Sequence, residues 1–263
     1  MKTAVIQFAP VLGNVQKTFE DLTPLLEDAK DANLIVLPEL ANSGYNFSGR
    51  GHAYKLSEYP RNSEFVDQLT SYCRINSNTI VTGFNERSKH DIFNTALIIN
   101  KKGIVGKYRK IHLFMNEKDI FSPGDLQPEL FEVDGVKVGM LICFDWIFPE
   151  IWRKLALMGA DLICHPSNLV LPGKAQQAIP VQAMMNKIYI AMANRVGSEG
   201  DLTFTGNSII ADPDGNVIAS ASADQAEVIF AEIDTTKSRD KMATPQNHVF
   251  EDRRPEFYGE EKK

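Results

Sequence analysis

The chain has 263 residues, 43% of them hydrophobic, with a formal net charge of −6. That composition can bury one large core, and an acidic balance with no long basic stretch argues against nucleic acid as a partner. Apolar runs are strand-sized, far short of the roughly 20 residues that cross a bilayer, which argues against a membrane role.

From the N-terminus, "MKTAVIQFAP" lacks a signal-peptide pattern. Its Thr3–Ala9 stretch reads as a buried strand. Apolar residues at Val15, Phe19, Leu22, Leu25, Leu26 and Ala29 form a helical stripe over 14–30, with Asn14 as N-cap. Leu34–Pro38 is a second buried strand, and a loop rich in Gly, Ser and Asn follows it. A helix is predicted over 63–75, then strands over 79–84, 95–100 and 104–108, the last two joined by the turn "NKKG". The second half repeats the pattern. It has a strand over 136–142, a helix over 148–159 with Pro149 in its first turn, and a strand over 161–165. A helix around 179–187 comes next, then strands over 188–194, 207–211, 217–220 and 227–233.

A β-α-β-α-β-β-β order thus occurs twice. Each half can form one mixed sheet with helices on one face, and the two bare faces can pack together. The expected fold is α/β, a four-layer αββα sandwich with two mixed sheets and an internal pseudo-twofold. The expected division is one domain over 1–236 and a charged C-terminal tail over 237–263.

Three cysteines, Cys73, Cys143 and Cys164, cannot all pair within one chain, and none has CxxC spacing. Neither a disulfide scaffold nor a zinc site is supported, so the reading is a reduced, cytoplasmic protein without metal. Cys143 stands where a buried strand ends and a helix soon begins, in "KVGMLICFDWIFPE". Such a turn projects a side chain at a sheet's carboxyl edge, near backbone N–H groups. A buried thiol acting as a small hydrophobe is the bland alternative.

Other strand exits favour chemistry. Glu39 follows the strand in "LIVLPELANSGYNF", at the edge where α/β active sites form. Lys110 follows another in "GKYRKIHLF", where alternation puts Tyr108, Lys110 and His112 on one side. Together they suggest acyl transfer: Glu39 as base, Lys110 favouring the thiolate, and Lys110 with a backbone N–H stabilising an oxyanion. Five histidines are present, and His112 and His165 are the rival bases.

The segments "LPELANSGY", "YRKIHLF" and "GMLICFDWIFPE", in that order, resemble the three signature segments of the nitrilase superfamily, the carbon-nitrogen hydrolases. The resemblance covers 3–233 and is closest to the amidase-like branch. It implies a Glu39-Lys110-Cys143 triad, Glu117 as a second glutamate orienting the lysine and substrate, and no cofactor. The expected reaction is hydrolysis of a small primary amide through a cysteine thioester, releasing ammonia. Nitrile hydrolysis, N-carbamoyl amine hydrolysis and a non-enzymatic binding module are the alternatives. Tyr45, Phe144, Trp146, His165 and Asn168 are expected to line the substrate cavity. Family members commonly pair through the helix after the cysteine. A homodimer or higher homo-oligomer is therefore expected, with the tail docked on the partner through Phe250, Phe257 and Tyr258.

Overall fold

A computed structural model describes residues 1–259. The first half contributes β1 (Lys2–Gln7), α1 (Val15–Asp28), β2 (Leu34–Val36), α2 (Arg50–Lys55), α3 (Glu64–Asn76), β3 (Thr79–Ser88), β4 (Asp91–Asn100), β5 (Gly103–Arg109) and the one-turn α4 (Glu117–Ile120). The second half begins with β6 (Phe131–Val133), β7 (Val136–Met140), α5 (Pro149–Leu157), β8 (Leu162–Pro166), α6 (Lys174–Asn186) and β9 (Tyr189–Ala193). A small hairpin of β10 (Ser198–Glu199) and β11 (Leu202–Thr203) follows, then β12 (Ile209–Ala211), β13 (Val217–Ser220) and β14 (Glu227–Glu232). The tail adds α7 (Thr235–Arg239), β15 (Met242–Thr244) and β16 (Asn247–His248).

Two six-stranded sheets result, ordered β14-β1-β2-β3-β4-β5 and β13-β12-β9-β8-β7-β6. In each, three adjacent parallel strands carry two antiparallel strands on one side and one on the other. The pseudo-twofold relates β1-β2-β3 to β7-β8-β9. One strand departs from the two-half reading. β14 comes from the end of the second half but pairs antiparallel with β1, from Lys2 opposite Glu232 to Gln7 opposite Glu227. It closes the free edge of the first sheet, a position that β6 occupies in the second.

Strand alternation sorts the core. Val5, Leu34, Val36, Val81 and Ile98 face the second sheet and join one apolar cluster with Val138, Met140, Leu162 and Cys164. Their neighbours Ala4, Ile6, Ile35, Ile80, Leu97 and Ile99 face outward onto Phe19, Leu22 and Leu26 of α1 and Phe65, Leu69 and Cys73 of α3. Trp152, Leu155, Ile179 and Ala183 from α5 and α6 cover the other outer face. Local chemistry sets the helix starts. Asn14 Oδ1 accepts from Lys17 N at 2.9 Å, Ser63 Oγ accepts from Val66 N at 3.2 Å, and Pro149 opens α5.

Beyond residue 236 the chain continues on its own subunit. Arg239 binds both oxygens of buried Asp161, and Phe250 packs beside the core under the cations of Arg153 and Lys241. Phe257 and Tyr258 are exposed. Among the described residues no helix is long and apolar enough to cross a membrane.

Candidate active site

The exits of the parallel strands β2 and β7 and of the edge strand β5 bring Glu39, Cys143 and Lys110 together. Glu39 is fully buried just beyond β2. Its backbone is clamped against β3: Gly83 N–H donates to the Pro38 carbonyl at 3.0 Å, and Ala41 N–H donates to the Gly83 carbonyl at 3.0 Å. A Cβ on Gly83 would lie 2.3 Å from Glu39 Cα, so only glycine permits this approach. Lys110 continues β5, with its N–H donating to the Asn94 carbonyl at 2.8 Å.

Lys110 Nζ donates to Glu39 Oε1 at 2.7 Å and to Glu117 Oε1 at 2.9 Å. Its distance to Glu117 Oε2 is 2.8 Å. Glu117 also accepts from the Tyr45 hydroxyl at 2.8 Å and from Phe114 N–H at 3.0 Å. Asn94 Nδ2 donates to Glu39 Oε1 at 2.7 Å. Glu39 Oε2 has no hydrogen-bond partner among the described residues. At these separations each ion pair gains about 6 kcal/mol with an effective dielectric of 20. Desolvating each ion costs several kcal/mol. The two nearly cancel, so stability alone does not account for the cluster; such sites are typically functional.

Burial works against the charge on Lys110, but Glu117 and Glu39 overcome it and hold the ammonium well above its usual pKa. Burial also raises Glu39, against the pull of Lys110. The Cys143 thiol is pushed well above the ordinary cysteine range, first by burial and then by the negative charge of Glu39. Lys110 does favour the thiolate, as expected, but burial and Glu39 outweigh it. The ammonium charge is shared with two carboxylates, Glu39 and Glu117.

Cys143 has a positive φ of 42°, as at a nucleophile elbow. That backbone costs of order 1–3 kcal/mol and needs support. Asp145, fully buried, provides it. Oδ2 accepts from Ile142 N–H at 2.8 Å and from the Tyr108 hydroxyl at 2.9 Å. Oδ1 lies 2.7 Å from His112 Nδ1, whose ring stacks on Phe148. The residues two before and two after Lys110 thus grip the residue two after Cys143. Asp145→Asn replaces one acceptor oxygen with a donor and loosens both segments. We expect turnover to fall about 10²-fold, the usual cost of misplacing a reacting group by an ångström. Steady-state kinetics on a variant with an unchanged circular-dichroism spectrum will check it, and an unchanged kcat would refute the brace.

A cavity of about 10 Å³, room for about one water, opens beside Cys143, walled by Phe114, Phe144, Trp146, Asn168, Leu169, Val170 and Leu171. Phe144, Trp146 and Asn168, expected from the sequence to line a substrate cavity, stand in this wall. The other two expected lining residues are elsewhere. Tyr45 is buried against Glu117 and packs edge-on to Phe204, because Glu199 Oε2 accepts the Tyr45 and Asn46 N–H groups and draws the loop inward. His165 lies beneath the elbow, fully buried, where its Nε2–H donates to the Cys143 carbonyl at 2.9 Å. Neither His112 nor His165 is bonded to the thiol. Sequence reading also missed Asn94, Asp145 and Glu199. A polar residue inside the apolar strand "DIFNTALIIN" and an acid directly after the elbow were the available signals.

Burial pushes the His165 pKa down to about 4. Between that value and the ordinary 6.5 the unfolded chain binds more protons than the folded one, so stability is complete above pH about 6.5 and falls as pH drops toward 4. The full effect is about 3 kcal/mol. Urea denaturation across this window, compared with His165→Gln, should show a shallower slope in the variant. Parallel slopes would show that His165 does not carry the effect.

Two mixed sheets with a buried cysteine, lysine and two glutamates at their shared edge form a frame suited to acyl-transfer chemistry. Residues 2–240 match the family described as Carbon-nitrogen hydrolase, and the chain belongs to that family. It is 42% identical over 260 residues to a nitrilase of Pyrococcus abyssi, covering 98% of this chain and 99% of that protein. It is 33% identical over 239 residues to a 2-oxoglutaramate amidase of Bacillus subtilis, covering 88% and 89% respectively. The crystal structure of an amidase from Nesterenkonia sp. superimposes with a TM-score of 0.82 at 24% identity, covering 98% of this chain and 95% of that one. The chain is thus a nitrilase-superfamily protein with the αββα fold.

Proposed function

We propose that this enzyme hydrolyses the carbon-nitrogen bond of a small, uncharged primary amide through a thioester on Cys143. The observation that carries the reading is Lys110 held between Glu39 and Glu117, with Glu39 Oε2 left unpartnered among the described residues and the buried Cys143 thiol raised in pKa by burial and by the charge of Glu39. Glu39 takes the thiol proton as sulfur bonds to the carbonyl carbon. Lys110 and the Phe144 N–H hold the oxyanion. The carbon-nitrogen bond then breaks, and Glu39 returns the proton to the departing nitrogen, giving ammonia. Water adds to the thioester as Glu39 takes its proton, and the thiol leaves with that proton restored. The sum is amide plus water to carboxylic acid plus ammonia. Glu117 holds Lys110 in place throughout.

The cavity is small and its wall mostly apolar, which suits a short acyl group. Apart from Cys143 no ionisable side chain among the described residues lines it, which favours an uncharged substrate. A nitrile is the second reading, favoured by the 42% identity to a nitrilase. The same sulfur would add to the nitrile carbon and form a thioimidate. Ammonia release from propionamide, propionitrile and N-carbamoyl propylamine separates the possibilities. Propionamide should be fastest, whereas no turnover of any of the three would leave a binding module.

The assembly proposed is a homodimer through α5 and α6, where Leu157, Met158, Val181, Met184 and Met185 are each more than 40% exposed. Phe257 and Tyr258 would be covered there by the neighbour. Sedimentation of the intact chain and of one cut after Asn247 tests both parts. An intact monomer would end the dimer proposal, and an unaffected truncated dimer would remove the tail from it. With Cys73, Cys143 and Cys164 all free, a reducing cytoplasm is the compartment that suits the chain.

A further inference from the structure

Asn168 is 1% exposed and lies in the wall of the Cys143 cavity. Its Nδ2 donates to the Glu39 backbone carbonyl at 2.9 Å. A carbonyl can only accept, so this bond decides which way the amide faces. Oδ1 is then the other atom, and it is buried with no hydrogen-bond partner among the described residues. A buried acceptor without a donor is costly, and that cost is relieved by any ligand that brings an N–H. Two other acceptors at the site are unpartnered among the described residues: Asn94 Oδ1, whose residue is not in the cavity wall, and Glu39 Oε2, which has work to do with the thiol proton. Asn168 Oδ1 has no such role in the chemistry.

We infer that Asn168 is a specificity residue whose Oδ1 accepts an N–H of the substrate's leaving amide group. The inference rests on the amide reading above and sharpens it. A primary amide carries two N–H groups, whereas a nitrile or an ester carries none and would leave Oδ1 buried and unpaired. A site built to bond a donor rejects analogues that lack it more strongly than an apolar pocket rejects a methylene. The Asn168–Glu39 bond also ties the acceptor to the strand exit that carries the base, so the leaving nitrogen is held near the group that must protonate it.

The test compares propionamide, propionitrile and methyl propionate, three substrates with one acyl group, in the natural enzyme and in Asn168→Ala. The amide kcat/KM should fall roughly 10- to 100-fold, the loss of one hydrogen bond at a buried site. The ester and nitrile should lose at least about tenfold less than the amide, because they share only the loss of the Asn168–Glu39 bond and do not use Oδ1. Equal losses on all substrates, or no loss on the amide, would overturn the inference. If Asn168→Ala does not fold, binding to Cys143→Ala decides. Propionamide should bind at least about tenfold more tightly than methyl propionate, and equal affinities would overturn the inference. Should the natural enzyme release no ammonia from any amide, the functional reading itself fails. Amide turnover without an amide-selective loss sinks only the role of Asn168.

Discussion

Cys143→Ser is expected to fold normally and to lose at least about 10⁴-fold in kcat, as nucleophile removals do in other hydrolases. The substitution is nearly isosteric and the site is 4% exposed, so packing barely changes. What changes is acidity. Burial and the charge of Glu39 already raise the thiol pKa, leaving the base a difficult proton to remove. A serine hydroxyl is several units less acidic again, beyond the reach of a carboxylate. Single-turnover ammonia release and thermal melts will check both halves of the statement. Activity within tenfold of the natural enzyme would rule out Cys143 as nucleophile.

Glu39→Gln should lower the acylation rate by about 10²- to 10⁴-fold, the range of a lost general base. The amide oxygen of glutamine can still accept from Lys110 and Asn94, as Oε1 does now. Lys110 also keeps Glu117 as counter-ion. The atom that replaces Oε2 is an NH₂ group and cannot take the thiol proton. The pH profile supplies a second readout. Glu39 must be ionised to act, so kcat/KM falls as pH drops through its pKa. Burial raises that pKa, which puts the acid limb above the usual glutamate value of about 4.3. The limb should vanish in Glu39→Gln. Retention of most of the acylation rate, or an unchanged acid limb, would assign the base elsewhere.

Lys110 follows the antiparallel edge strand β5, whereas Glu39 and Cys143 were legible as candidates because each lies at the end of a buried parallel strand. Such strands read as continuous apolar runs, and "LIVLPE" and "GMLIC" announce where the run stops and a reactive side chain starts. Hydrophobic period located α1, α3 and α5 for the same reason: an amphipathic stripe is a local property of the chain. The three-residue β6 was too short for any period to show. β14 was legible as a strand but not as a partner of β1, because alternation says nothing about which edge a strand will close.

The same boundary runs through the site. Glu39, Lys110 and Cys143 could be named from strand exits and motif resemblance, and Asn168 from the exit of β8. The bond of Asn94 to Glu39 spans 55 positions, and that of Asn168 to the Glu39 carbonyl spans 129. Tyr108 meets Asp145 only because the two sheets stack with β5 and β7 carrying them to one place. His165 was assigned to the wrong side of the elbow, since a strand exit does not reveal which neighbour its side chain will meet. The consequence for acidity was equally hidden. Lysine beside a cysteine suggests a thiolate, but burial of the thiol, and after it the charge of Glu39, outweighs that pull. Strand ends and reactive residue types follow from local apolar pattern. Proton placement and the unpartnered acceptors depend on distances of a few ångströms between segments far apart in the chain, and only the packing of two twisted sheets sets those.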